Sequence, residues 1–130
     1  MADQPELVFL PLGGLGEIGM NLALYGYGPP RHRKWLVVDF GVSFGGPELP
    51  GIEIIYPDIA FLEAERERIV GIAITHAHED HYGALVDLWP RLKLPIYATA
   101  FVAHMLAAKQ EGSPGDPIPV NLVKAGQRVT

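Results

Sequence analysis

Cysteine is absent from these 130 residues. No disulfide can form, and any bound metal must be held by nitrogen and oxygen donors. No run approaches the roughly 20 uncharged apolar residues of a membrane-spanning helix, so no membrane partner is expected. The N-terminal MADQPELVF is acidic and has no basic region leading into an apolar run. A secretory signal is therefore not expected, and a cytoplasmic location fits. Positive charge is the minority sign: 10 Lys and Arg against 15 Asp and Glu give a net charge of −5. That argues mildly against a general nucleic-acid binder, although bound divalent cations would reverse the sign locally. Neither an internal repeat nor a compositional break divides the chain. With 48% hydrophobic residues it has enough apolar material for the core of one small domain. The chain stops within a predicted strand, and it is expected to be the front portion of a longer protein.

What is present is punctuated by glycine and proline. Leu7–Leu12 reads as a strand, with Pro11 marking an edge or a strand end. Gly13–Gly19 holds four glycines in seven residues and reads as a tight loop. Met20–Tyr27 suits a strand, Gly28-Pro29-Pro30 a turn, and Trp35–Phe40 a further apolar strand with Asp39 near its end. Gly41–Ile55 is irregular. Asp58–Ile69 is predicted as a helix capped by Asp58, with Ile59, Leu62 and Arg66 at helical spacing. Ile69–Thr75 is apolar, uncharged and β-branched, as in a buried strand. Gly83–Leu92 is predicted as a short helix despite Pro90, and Ile96–Ala98 as a strand. Thr99–Gln110 is predicted as a helix capped by Thr99 and stopped at Gly112. Ile118–Val123 and Arg128–Thr130 read as strands about a turn at Ala125-Gly126. The class is α/β.

The chemistry concentrates in His76-Ala77-His78-Glu79-Asp80-His81, which packs three of the five histidines and an aspartate into six residues. The cluster follows a buried strand, where loops on a rigid scaffold carry ligands. On an extended or looping backbone His76 and His78 point the same way and can hold one ion. Asp80 and His81 lie just beyond and can hold a second. Two such ions can ionise a shared water and stabilise entering and leaving oxygens. A solvated loop with idle histidines is the plainer reading. Three histidines with an aspartate at this spacing argue against it. Glu79 is expected to point away from the ions, and His104 reads as a surface or packing histidine of its helix.

Two other patterns compete. Gly14-x-Gly16-x-x-Gly19, with Asp39 twenty residues after Gly19, fits a dinucleotide-binding fingerprint. That fingerprint needs a helix after the glycines, and Gly26, Gly28, Pro29 and Pro30 leave room for about two turns at most. Two hairpin strands are more natural. The basic run Arg31–Lys34 reads as a solvated turn.

The motif His76-Ala-His78-Glu-Asp80-His81 is the signature of the metallo-β-lactamase superfamily. Together with LGGLGEIG (12–19), WLVVDFG containing Asp39, Gly51-Ile52-Glu53, Pro57-Asp58 and THAHEDHYGA (75–84), it resembles the ribonuclease J family. These are bacterial RNA-processing nucleases of the β-CASP group, and the resemblance spans roughly residues 7–110. It implies an αββα sandwich, two mixed sheets with helices outside, of which 1–130 would be the N-terminal part, without the β-CASP and C-terminal regions. It implies two Zn2+ or Mn2+ ions, with His76 and His78 as ligands of one and Asp80 and His81 of the other. Asp39 matches an aspartate that supports the ligands from behind. The family's remaining ligands lie downstream. Gly51 and Glu53 match a position where some relatives hold a structural Ca2+, though a loop with an exposed glutamate is slightly preferred.

The implied activity is exo- or endonucleolytic hydrolysis of RNA. A hydroxide shared by the two ions attacks phosphorus, with Asp80 and His81 as the catalytic residues and Asp80 orienting the nucleophile. RNA as partner and homo-oligomerisation of the full-length protein also rest on the resemblance. The 130 residues alone are expected to bind metal weakly and to lack nuclease activity. The alternatives are another hydrolase of the superfamily, a non-catalytic fragment and, behind these, a nucleotide-binding module.

Overall fold

The computed structural model describes residues 4–130. The first three residues, where the acidic MADQPELVF segment starts, lie outside it. Among the described residues, eight strands and four α-helices follow in order. They are β1 (Glu6–Gly13), β2 (Leu22–Gly28), β3 (Lys34–Val38), β4 (Ser43–Phe44), β5 (Ile54–Ile55), α1 (Ala60–Ala64), β6 (Ile69–Ala73), α2 (Glu79–Tyr82), α3 (Leu85–Leu92), β7 (Ile96–Ala98), α4 (Ala100–Gln110) and β8 (Asn121–Leu122). Six strands form one mixed sheet in the order β1-β2-β3-β6-β7-β8, and β4 and β5 pair separately. The first three strands are antiparallel neighbours, whereas β3, β6, β7 and β8 run parallel.

The glycine fingerprint therefore lies in a hairpin. The loop after β1 leads straight into the antiparallel β2, with Phe9 opposite Tyr25 and Leu10 opposite Leu24. No helix stands where a dinucleotide pyrophosphate would need one, so the nucleotide-binding reading is set aside. Pro11 lies in the edge strand, which tolerates a missing N–H, and the register slips between Pro11 and Gly13.

Strand alternation makes the core. In β2, Leu22 and Leu24 are fully buried while Tyr25 and Tyr27 face outward. Val37, Ile72 and Ile96 continue the buried face across the sheet, and Leu62, Leu85, Leu92, Val102 and Leu106 cover it from the helices. Trp35 lies over Gly26 and meets Phe61 edge-on, with ring centroids 5.4 Å apart. The opposite face leaves Leu7, Phe9, Tyr25, Tyr27 and Val70 exposed. So contiguous an apolar sheet face is characteristic of a surface that packs against something. Of the two mixed sheets of the expected sandwich, the described residues hold one, the six-stranded sheet, and β4–β5 is a separate antiparallel pair.

The predicted helix after Asp58 and the predicted C-terminal strands differ from expectation. The helix predicted over Asp58–Ile69 is α1, only five residues long, followed by a 3-10 turn at Arg66–Arg68. Ile59 and Leu62 are buried and Phe61 packs against the core, but the run of charged residues from Glu63 to Arg68 offers no further apolar face to extend the helix. The Arg68 N–H reaches back to the Glu65 carbonyl, which tightens the chain before β6 begins. Asp58 does not occupy the cap position, but its Oδ1 accepts from the Ala60 N–H at 2.9 Å. At the far end, Ile118–Val123 contracts to β8, and Arg128–Thr130 forms no strand. Gln127 instead closes the local turn, donating its N–H to Lys124 O and accepting from Lys124 N.

Candidate metal centre

β3 and β6 are parallel neighbours, with Val38 opposite Ala73. Their carboxyl ends therefore open on the same edge of the sheet, where α/β proteins bind ligands. Asp39 leaves β3 with φ +66°, a left-handed conformation that aspartate tolerates better than most residues. Its N–H donates to Ala73 O at 2.8 Å. The side chain turns across the end of β6, and Oδ1 accepts from the Thr75 N–H at 2.8 Å. Thr75 Oγ1 lies 3.0 and 2.9 Å from the two carboxylate oxygens, and His81 Nδ1 lies 2.7 Å from Oδ2. Asp39 is the one buried charged residue among the described residues.

The candidate ligand segment is part extended and part helical. His78 is extended, but Glu79–Tyr82 forms one helical turn, so Asp80 and His81 do not continue the looping backbone expected from the sequence. The turn is held from outside by its carbonyls. Glu79 O accepts from Val42 N, Asp80 O from Asn21 N, and His81 O from Phe40 N, at 3.1, 2.9 and 2.7 Å. Gly41 lies so close beneath the turn that a Cβ would come 1.7 Å from Asp80 O.

His76, His78, Asp80 and His81 form one cluster. The ring of His76 lies 4.0 Å from that of His81 and 4.6 Å from that of His78, centroid to centroid. His81 Nε2 stands 3.5 Å from Asp80 Oδ2. As the side chains stand, no three donors among the described residues converge on one ion position. His76 and His78 are exposed, so their rings are not locked by packing. The donor chemistry nevertheless suits a cation. A carboxylate only accepts, so His81 Nδ1 directs a proton toward Asp39. In the neutral form that a metal ligand must take, the ring then turns its Nε2 lone pair toward Asp80 Oδ2. Two acceptors that close favour a positive charge between them.

The same logic fixes His76. The single hydroxyl proton of Thr75 is directed to Asp39. Thr75 Oγ1 is therefore an acceptor toward His76 Nδ1, 2.9 Å away, and that nitrogen carries its proton. Through Thr75, one buried carboxylate sets both rings to present Nε2. Thr75→Val should weaken Zn2+ binding about tenfold, read by competition with a chromophoric chelator. Nitrogen NMR of His76 should then show both tautomers. Parent-like affinity with an unchanged tautomer would contradict this relay.

The remaining candidates lie elsewhere. Glu79 turns away from the cluster and pairs with Lys109 Nζ of α4 at 2.8 and 2.9 Å. His104 is exposed on α4. Gly51 and Glu53 are exposed on the loop before β5, and no acidic cluster joins them among the described residues. Arg33, in the basic run, pairs with Glu6 at 2.6 Å. Sequence reasoning missed Asn21, whose Nδ2 faces Asp80 and His81, and it missed the roles of Thr75 and Gly41. A polar residue closing a glycine loop and a glycine directly after WLVVDF were the available signals.

Two phenols behind the cluster are held protonated. Burial, then the Glu79 charge, raises the Tyr82 pKa above its ordinary 10.0, partly offset by Lys109. The hydrogen bond to Asp87 raises that of Tyr56, with burial and the charges of Asp87 and Glu79 adding to it. Folding therefore favours the protonated phenols, and this contribution is full below pH 10.0 and lost as pH rises through the folded pKa values. A Tyr56→Phe, Tyr82→Phe variant should lose less melting temperature above that pH than its parent. An identical alkaline decline in both proteins would contradict this.

A sequence model of the metallo-β-lactamase superfamily matches residues 27–126. The chain belongs to that superfamily, and its α/β fold contains part of the superfamily's sandwich. Within the superfamily the similarity is to the N-terminal part of ribonuclease J. The chain is 60% identical over 131 residues to ribonuclease J of Sinorhizobium meliloti, covering 99% of this chain and 23% of that one. It is 40% identical over 99 residues to ribonuclease J of Helicobacter pylori, covering 76% and 14%. The match to ribonuclease J of Thermus thermophilus is 32% over 113 residues, covering 83% and 19%. The chain thus spans less than a quarter of the length of these relatives. The crystal structure of DIM-1 metallo-β-lactamase superposes with a TM-score of 0.44 at 18% identity, over 90% of this chain and 51% of that one. So loose a likeness adds nothing to the family assignment. No helix among the described residues is long and apolar enough to cross a membrane.

Proposed function

We propose that this chain supplies part of the metal centre of a ribonuclease that hydrolyses RNA phosphodiester bonds. The observation that carries the reading is the Asp39–Thr75–His81 network, which turns imidazole lone pairs toward a neighbouring carboxylate at a strand end. The similarity to ribonuclease J supports RNA as the substrate.

His76 and His78 are assigned to one divalent cation and Asp80 and His81 to a second, Zn2+ or Mn2+. When bound, such cations neutralise phosphoryl charge and lower the pKa of a water to about 7. The chain's own residues do the positioning. Asp39 fixes the ring of His81, and Thr75 passes the same constraint to His76. Asp80 would hold the second cation together with His81 and would orient the attacking oxygen. The pinned helical turn keeps Asp80 and His81 on one side of the centre. A cytoplasmic location and a homo-oligomeric state belong to the same reading, as does a choice between exo- and endonucleolytic cleavage. A Ca2+ at Gly51 and Glu53 has less behind it, since the loop there is exposed and without a further acidic partner.

In the complete protein, RNA cleavage should require added Zn2+ or Mn2+ after chelation. His78→Ala should lower it by roughly a hundredfold or more. The 130-residue polypeptide alone should bind metal weakly and leave RNA intact. Full cleavage by that polypeptide, or by His78→Ala under metal-controlled conditions, would refute the proposal.

A further inference from the structure

The glycine loop and Asn21 are not explained by the ligand motif. The loop of Gly13–Gly19 has left-handed glycines at 14, 16 and 19, and it delivers Asn21 against the ligand turn. Asn21 is tied there by its backbone at two points. Its N–H donates to Asp80 O at 2.9 Å, and its carbonyl accepts from Gly41 N at 3.0 Å.

The side chain faces three acceptors. Nδ2 lies 3.1 Å from Asp80 O, 3.4 Å from Asp80 Oδ2 and 3.3 Å from His81 Nε2. With Nδ1 donating to Asp39, the neutral ring that binds a metal presents its lone pair at Nε2. All three neighbours thus call for a donor, which sets the amide with its nitrogen toward the centre and its oxygen away. The oxygen lies beside Gly14, where a Cβ would come within 2.6 Å of it. Glycine at position 14 leaves room for this orientation.

We propose that Asn21 is a positioning residue of the metal centre. One amide hydrogen is spent on the Asp80 backbone. The other lies between Asp80 Oδ2 and His81 Nε2 and holds these two donor atoms side by side. With a cation held by His81, this hydrogen would stay with Asp80 Oδ2, and Oδ1 would remain free to serve as the ligand. The glycine loop thus serves as the arm that places the amide. Asn21 supports the cation of Asp80 and His81 and has no contact with His76 or His78 that would support the other.

This inference rests on the metal-dependent reading above, and its test separates the two. Zn2+ binding is measured by calorimetry on the complete protein and on Asn21→Ala, with melting temperatures recorded in chelator. The parent should show two binding events. In Asn21→Ala one should weaken about tenfold while the other holds, and the melting temperature in chelator should stay close to the parent's. If the parent binds no pair of ions, the metal reading itself fails. If the parent binds two and Asn21→Ala binds both as tightly, only the Asn21 inference fails. Equal weakening of both events with a lower melting temperature would also overturn it, since that is what a merely structural residue would give. Should Asn21→Ala not fold, the parent answers the question through the Asn21 side-chain NH2 resonances. They should shift with one equivalent of Zn2+ and not with the other, and an absence of any shift would overturn the inference.

Discussion

Asp39→Asn is expected to lower divalent-metal affinity about 10- to 100-fold while costing the fold only about 1–2 kcal/mol. The asymmetry follows from what each carboxylate oxygen meets. Oδ1 accepts the backbone N–H of Thr75, so the amide oxygen of the variant must stay there. The amide NH2 then takes the place of Oδ2 and faces His81 Nδ1, which carries a proton toward it. Two donors cannot bond, so His81 must turn away or move its proton to Nε2. A ring protonated at Nε2 cannot give that nitrogen to a metal. Asparagine tolerates the left-handed backbone at this position, so the turn itself survives. Asp39→Ala removes the acceptor of Thr75 N–H, Thr75 Oγ1 and His81 Nδ1 together, and should destabilise by about 3 kcal/mol or more. Urea unfolding paired with metal titration separates the two effects. Parent-like metal affinity in Asp39→Asn would show that the His81 ring is set by something other than this carboxylate.

Gly41→Ala should have the larger effect on structure. A methyl group there would lie 1.7 Å from Asp80 O, 2.2 Å from Asp80 C and 2.8 Å from His81 N. All three are backbone atoms, so no change of rotamer relieves the clash. Either the 39–42 segment or the helical turn must move. Movement strains the bonds from Phe40, Gly41 and Val42 to His81, Asn21 and Glu79. The expected cost is about 3 kcal/mol or more. Where the protein still folds, Asp80 and His81 should be displaced and metal binding at that side lost. Melting temperature and bound metal per chain check both. A variant that melts and binds like its parent would show that the ligand turn is not held at Gly41.

The sequence carried the parts of the molecule that depend on near neighbours. The β-branched run before Thr75 announced β6, and proline and glycine spacing decided for a hairpin over a nucleotide-binding crossover. Histidine spacing marked out the candidate segment, and the structure gathers His76, His78, Asp80, His81 and Asp39 near one another. Features made by distant contacts were not legible. The four-residue turn Glu79–Tyr82 is too short to show a helical period, and it is held by bonds from residues about 40 and 60 positions earlier in the chain. Asn21 looked like the start of a strand because its partners, Asp80 and His81, lie 59 and 60 residues away. The predicted helix after Asp58 failed for the opposite reason. Its local signals were sound, but only its first turn, through Ile59, Phe61 and Leu62, found a core to meet.

The central claim is that cations sit among His76, His78, Asp80 and His81 with Asp39 behind them. Anomalous scattering from crystals of the complete protein, recorded at the Zn absorption edge after equilibration with Zn2+, tests it most directly. The expected map has two peaks within this cluster, one against the two histidines of the extended segment and one against Asp80 and His81. A map with strong Zn2+ peaks elsewhere and none in the cluster would contradict the account.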